Sequence, residues 1–256
     1  MSLLIDADYI VYKSCAACEY DIDFGDDVIV VGSNFTEAYV RVLEELGSIA
    51  DALGQFDDSI LFFSDSSNFR KRIASDYKGH RQRKKPCGYK RVINKLSDDF
   101  IVMRLPDMEA DDAIGIYATQ EPGQHIVCSP DKDMRQIPGD YFDLKNEVVH
   151  ITPKDANEWH YIQTMAGDST DGYSGVPTIG VKRAAAILEN EGCSWDTVVK
   201  TFASKELDES VALKNARLAK ILTNKEYQDG RIILWTPPDA DSGVNDGTTI
   251  QDEEDP

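Results

Sequence analysis

Acidic residues recur in this chain at spacings suited to the ligation of divalent cations. They fall as Asp6-x-Asp8, Asp65, Glu109-x-Asp111-Asp112, Asp131-x-Asp133 and Asp168-x-x-Asp171. So many carboxylates in one pocket could not all stay ionised without compensation, because like charges a few ångströms apart raise one another's pKa. Divalent cations are the natural compensation, and all-oxygen ligation selects a hard ion such as Mg²⁺ or Mn²⁺ over zinc. Two such ions about 4 Å apart can activate a water and stabilise the leaving oxygen of a phosphodiester. Water is then the nucleophile, and no Ser, Cys or His need be catalytic. Each cluster alone has a plainer use. Acids at 109–112 suit a helix N-terminus, and Asp168 with Asp171 suits an Asx-turn. An EF-hand loop is excluded, since counting from Asp131 places Gln136 and Phe142 where glycine and glutamate are needed.

For the acids to meet, the elements carrying them must end at one edge. Ser2 to Asp8 reads as a buried strand closing in acids, and Ile60 to Phe63 as a second landing on Ser64-Asp65. Phe100 to Leu105 is a third, and His125 to Cys128 a fourth running into Ser129-Pro130-Asp131. Val28 to Val31 suits a short strand or hairpin arm. Asn34-x-x-Glu37 forms a capping box for a helix that Gly54 ends. Glu109 to Ala118 reads as a helix, and Thr152-Pro153 opens a largely helical region reaching Leu222. This alternation predicts an α/β fold with a central, mostly parallel, twisted sheet flanked by helices. In such sheets ligands bind beyond the carboxyl ends of the strands, where these acids fall.

The chain has 256 residues and a net charge of −19, which at first argues against a nucleic-acid partner. The distribution reverses this. Between Arg70 and Lys95 there are eleven Lys/Arg and one acid, Asp76. With a Debye length of roughly 8–10 Å, a bound phosphate feels the local patch rather than the total. Pro86 and Gly88 divide that stretch into two short helical pieces with a flexible crown. Five scattered cysteines suit reduced thiols in a cytosolic compartment, and Cys15-x-x-Cys18 lacks a second pair to complete a zinc site. No run is long and apolar enough for a membrane helix, and Met1 to Asp6 does not read as a signal peptide.

Together the motifs resemble the 5′→3′ exonuclease and flap-endonuclease superfamily, most closely its short bacteriophage members. The matching residues are Leu4-Ile5-Asp6-Ala7-Asp8, Phe63-Ser64-Asp65, Tyr77-Lys78-Gly79-x-Arg81, Glu109-Ala110-Asp111-Asp112, Ser129-Pro130-Asp131-Lys132-Asp133, Gly167-Asp168-x-x-Asp171, and Gly175 to Ala184. They occur in family order over roughly Leu3 to Leu222. The resemblance implies a resolvase- or PIN-like fold and two bound Mg²⁺ ions, with Mn²⁺ able to substitute. The first ion would be held by Asp6, Asp65, Glu109, Asp111 and Asp112, the second by Asp131, Asp133, Asp168 and Asp171. Tyr77 to Lys95 would form a helical arch over a single strand. There Tyr77 would stack on a base, Lys78 and Arg81 would neutralise charge on the scissile phosphate, and Arg83, Lys84 and Lys85 would contact DNA.

Gly175 to Ala184 would be the hairpin of a helix–three-turn–helix motif, binding duplex backbone through Gly175, Ile179, Gly180, Lys182 and Arg183. The resemblance also admits K⁺ in the 175–180 hairpin. The implied partner is DNA with a 5′ end or flap, or an RNA–DNA hybrid, met by a monomer in the cytoplasm (a bacterial host's, if the chain is phage-encoded). Three parts are expected: a metal-binding core over 1–150 that includes the arch at 77–95, a helical DNA-binding part over 151–235, and a disordered acidic tail over 236–256. Two departures matter. Gln163 stands where some members carry a lysine, and Asp8 stands where Asn, Ser or Thr is common, so Asp8 receives no ligand assignment. The alternatives are a PIN-type ribonuclease and a non-catalytic structure-specific DNA-binding protein.

Overall fold

Leu3, Leu4 and Ile5 are buried on both faces, as the central strand of a parallel sheet requires. In the computed structural model, which describes residues 1–80 and 84–238, they form β1 (Ser2–Asp6). Arg81, Arg83 and the expected acidic tail from position 239 lie outside the described residues. The strand stops sooner than expected. Asp6 caps α1 (Ala7–Ala17), so Asp8 sits in that helix's first turn rather than in the strand. A hairpin follows, β2 (Glu19–Asp23) against β3 (Ile29–Ser33). Asn34 then caps α2 (Phe35–Leu53) by accepting the Glu37 N–H at 3.2 Å, while the Glu37 side chain pairs with Arg41 instead of completing a capping box. Gly54, with φ of +76°, ends that helix.

The remaining core elements are β4 (Ser59–Phe62), α3 (Arg70–Ile73), α4 (Tyr89–Asp99), β5 (Ile101–Met103), α5 (Ala110–Gln120), β6 (His125–Cys128), a 3₁₀ turn (Lys132–Gln136), β7 (Gly139–Phe142) and β8 (Val149–Ile151). The six-stranded sheet runs β5-β4-β1-β6-β7-β8, parallel except for β8. Sheet order therefore departs from β1 in both directions, through β4 on one side and β6 on the other. The crevice at such a reversal is where open α/β sheets place their ligands.

Alternate residues of the strands feed two cores. Leu3, Ile5, Leu61 and Phe63 pack under α1, α2 and α4, against Val11, Val42, Val92 and Leu96. Leu4, Ile60, Phe62 and Val127 face α5, against Ala113 and Ile114. Among the described residues between the sheet and α4, helix is confined to α3, a single turn, and non-helical turns cover 75–80.

Thr152 and Asp155 cap α6 (Pro153–Ala166) reciprocally. Then come β9 (Gly167–Asp168), β10 (Tyr173–Ser174), α7 (Val181–Glu191), α8 (Trp195–Ala203), α9 (Glu209–Ala219) and the small hairpin β11 (Tyr227–Gln228) with β12 (Arg231–Ile232). Tyr161, Leu188, Val198, Phe202 and Ala216 build the core of these helices. The strands β7 to β11 had no counterpart in the sequence reading. They are short, and Val149 in β8 is half exposed, so no apolar run announces them.

Candidate active site

The sheet edge beyond β1, β4 and β6 collects the acids. Asp6 ends β1, and its Oδ2 accepts the Ser129 hydroxyl at 2.9 Å, from the loop after β6. Burial, together with Asp8 and Asp131 nearby, pushes its carboxyl up to about 7. Asp65 follows β4. Its Oδ2 accepts the Asp107 N–H at 2.9 Å and the Ser67 hydroxyl at 2.8 Å, which bring its pKa down to about 2. Glu109 caps α5, and Asp111 lies in the first turn. Burial, then Asp112 and Glu109, raises the Asp111 pKa well above the carboxylate range.

Asp131 caps the 3₁₀ turn through the Asp133 N–H at 2.9 Å. Burial and Asp131 raise the Asp133 pKa, with Asp168 and Asp171 contributing. Asp168 ends β9 and holds the following turn by accepting N–H bonds from Thr170 and Asp171 at 2.6 and 3.2 Å. The second set of acids thus shares one electrostatic neighbourhood, and Asp6 adjoins it through Asp131.

Tyr77 and Lys78 join the two sets. The Tyr77 hydroxyl lies 3.0 Å from Glu109 Oε2 and 2.9 Å from Asp171 Oδ2, its single proton shared between them. Burial, with the carboxylates around it, pushes that hydroxyl far up, so it stays a donor. Lys78 Nζ is bonded to Glu109 Oε1 and lies 3.6 Å from Asp171 Oδ2. Against burial, which alone would raise it, Lys78 and Arg70 hold Glu109 below its ordinary range. Lys78 has φ of +54°, a conformation costly to a lysine, and its N–H is anchored to the Asp171 carbonyl at 2.9 Å. Strain of this kind concentrates at functional sites.

Two side chains sit differently from expectation. Tyr77 is 2% exposed, its ring packed with Ala74, Tyr173 and Leu218, so it clamps carboxylates here and offers no face to a base. Asp112 is fully buried, and both its oxygens face Arg70, at 2.6 and 2.8 Å. Its Oδ1 also accepts the Leu222 N–H at 3.1 Å. The carboxylate is occupied by that guanidinium, which sets it apart from Glu109 and Asp111. Arg70 is the residue the sequence reading missed. It lies inside the basic run, where nothing in its neighbours signals burial, yet it is 2% exposed. Its remaining N–H groups reach the Leu218 and Lys220 carbonyls at 2.9 and 2.6 Å.

The donor set suits a hard divalent cation. Glu109, Asp111 and Asp112 each have a carboxylate oxygen within 4.8 Å of the others, and Asp133 Oδ1 is buried with no hydrogen-bond partner. A buried carboxylate oxygen left in this way lacks a positive partner.

A model of the 5′→3′ exonuclease N-terminal, resolvase-like domain matches residues 1–161. The chain belongs to that family. It is 27% identical to the exodeoxyribonuclease of Enterobacteria phage T3 over 279 aligned positions, covering 92% of each chain. Among solved structures, the fold resembles the phage T5 D15 protein co-crystallised with metal ions, with a TM-score of 0.59 at 16% identity, over 86% of this chain and 89% of that one. It also resembles the catalytic core of Rad2 in complex with DNA substrate, with a TM-score of 0.52 at 13% identity, over 94% and 84%. Among the described residues no helix is long and apolar enough to cross a membrane, and the five cysteines are free.

In this exonuclease-family chain the 175–180 segment is packed tightly at its start. A Cβ on Gly175 would lie 2.2 Å from the Ala166 carbonyl carbon, so only glycine fits. The Ile179 side chain is buried and its N–H is bonded to the Val176 carbonyl, so Ile179 shapes the hairpin rather than offering a free donor. Gly180 caps α7, and Lys182 and Arg183 are exposed in that helix's first turn. Lys84 and Lys85 are exposed in the segment before α4.

Proposed function

We propose that this chain is a divalent-metal-dependent 5′ nuclease that hydrolyses DNA phosphodiesters, leaving a 5′-phosphate and a 3′-hydroxyl. The observation that carries this is the meeting of acids from β1, α5, the loop after β6 and the β9 turn, with Lys78 among them and Asp65 at the neighbouring strand end. Asp6, Asp65, Glu109 and Asp111 would hold one Mg²⁺, and Asp131, Asp133, Asp168 and Asp171 the other. When bound, such ions lower the pKa of a water and neutralise charge on the leaving oxygen. Lys78 adds a fixed positive charge beside Glu109 and Asp171, where a scissile phosphate would gain charge. Tyr77 holds Glu109 and Asp171 at one separation. Lys182, Arg183 and the amide end of α7 would take a duplex phosphate without reading sequence, and K⁺ in the 175–180 hairpin would reinforce that contact. Mn²⁺ would replace Mg²⁺, an RNA–DNA hybrid would be a second substrate, and the protein would act as a cytoplasmic monomer.

The test is incubation with 5′-labelled blunt, flapped and hybrid duplexes, with Mg²⁺, with Mn²⁺ and with EDTA. Label released as short 5′-phosphorylated products only with a divalent ion is expected. Intact label with both ions defeats the proposal. Preferential cleavage of single-stranded RNA would favour a PIN-type ribonuclease instead.

A further inference from the structure

The return limb of the arch is tied to the first group of acids through Asp8, to which the reaction assigns no part. Lys85 Nζ lies 3.2 Å from the Tyr89 hydroxyl and 4.4 Å from the centre of its ring. Tyr89 opens α4, is 5% exposed, and donates its hydroxyl proton to Asp8 Oδ1. The other oxygen, Asp8 Oδ2, accepts the Ser64 N–H at 2.8 Å. Ser64 Oγ in turn accepts the N–H of Ala110, the first residue of α5, at 3.1 Å. This chain of bonds visits the arch, the start of α1, the end of β4 and the start of α5 in order. Asp6 stands two residues before Asp8, Asp65 follows Ser64, and Glu109 and Asp111 flank Ala110. Each carboxylate of the first group is thus within two residues of a link. On the other side of the limb, the Cys87 N–H is bonded to Glu19 at 2.6 Å, which holds the segment before α4 against β2.

We propose that Lys85, Tyr89 and Asp8 are positioning residues that transmit the seating of the arch to the spacing of Asp6, Asp65, Glu109 and Asp111. This rests on the reading that those four hold a metal ion. Asp8 enters the relay through its bonds, Oδ1 to the Tyr89 hydroxyl and Oδ2 to the Ser64 N–H, and is given no ligand role. Lys85 is the exposed end of the relay, with 56% of its side chain accessible, and a strand under the arch can reach it. Tyr89 is the rigid middle.

Tyr89→Phe keeps the ring under Lys85 while deleting both hydrogen bonds of the hydroxyl, the one it donates to Asp8 and the one it accepts from Lys85, and leaves Lys85 Nζ 3.7 Å from Asp8 Oδ1 as the remaining direct contact. Removing an outer partner of a metal ligand typically costs about ten- to hundredfold in metal affinity or activity. Mn²⁺ binding to the free protein by calorimetry should weaken about tenfold, and kcat should fall by a similar factor, with KM for a flapped duplex unchanged. A lower melting temperature with unchanged Mn²⁺ affinity and kcat would make the link merely structural and overturn the proposal. A raised KM with unchanged Mn²⁺ affinity would make the limb a plain DNA contact and overturn it equally. If wild type itself bound no Mn²⁺, the metal reading would fall, and that outcome is separate from equal binding by wild type and variant. Should Tyr89→Phe not fold, Lys85→Met carries the test from the surface. It should show a smaller loss of Mn²⁺ affinity that Lys85→Arg restores, and no loss overturns the proposal.

Discussion

Replacing Asp112 with asparagine removes the charge from a fully buried carboxylate whose two oxygens are paired with Arg70. The guanidinium is 2% exposed, so it cannot turn to water. Breaking a buried pair by neutralising one partner costs about 3–5 kcal/mol, because the other charge stays desolvated, here with only the Glu109 carboxylate, at 3.5 Å, left to face it. For a chain of this length each kcal/mol moves the melting temperature by about 2–4 °C, so a fall of roughly 6–20 °C is expected. The assay is differential scanning calorimetry in EDTA, repeated with Mg²⁺. The double variant Arg70→Met, Asp112→Leu completes the argument. It removes both charges and should lose less than the two single variants added together. Activity per folded molecule at saturating Mg²⁺ should stay within a few-fold of wild type. An unchanged melting temperature with a tenfold higher Mg²⁺ requirement would refute the reasoning, since Asp112 would then be a ligand and not the anchor of Arg70.

Asp111→Asn should abolish cleavage while leaving flapped-duplex binding intact. Because Asp112 and Glu109 crowd Asp111, the variant in EDTA should melt at or above wild type by thermal shift. It should also lose part of the roughly 2.7 kcal/mol that a ligand at a hundred times its Kd confers. His160 is 2% exposed and donates from Nε2 to the Ala216 carbonyl, at 2.9 Å, and burial lowers its pKa to about 3. The unfolded chain takes up that proton near pH 6.5 and the folded one only near 3, so stability is full above 6.5 and falls by about 1.4 kcal/mol per unit as pH drops between them. Denaturant unfolding of wild type and His160→Gln from pH 7 to 4 should show the shallower slope in the variant. Gly175→Ala should lower the melting temperature and weaken duplex binding in a gel-shift assay, because the added methyl meets the Ala166 and Met165 backbone.

The acids were legible because ligands at a strand's carboxyl end must stand at an element boundary, and Asp6, Asp65 and Asp131 do. Caps such as Asn34, Thr152 and Gly54 were legible for the same local reason. What a carboxylate faces is a tertiary fact. Asp112 shares a motif with Asp111, and only the arrival of Arg70 from another element separates their environments. The basic run was read as one positive surface, yet Arg70 is buried, Arg72 pairs with Asp107, Lys95 pairs with Asp98 and Asp99, and Lys78 turns inward to Glu109. Tyr77 was expected to stack on a base through the family resemblance alone. Its burial follows from Ala74, Tyr173 and Leu218 closing over the ring.

The stretch Leu218 to Leu222 is gripped from three places at once. Arg70 takes the carbonyls of Leu218 and Lys220, Asp112 takes the amide of Leu222, and Gln136 takes the carbonyl of Ala219 and the amide of Ile221. All three gripping residues lie within positions 1–161, the span matched by the family model, whereas the gripped strand of backbone lies far beyond it. A fragment trimmed to that span would therefore leave a guanidinium, a carboxylate and an amide stranded in its interior. Anyone producing the catalytic half by itself should expect aggregation rather than a smaller enzyme.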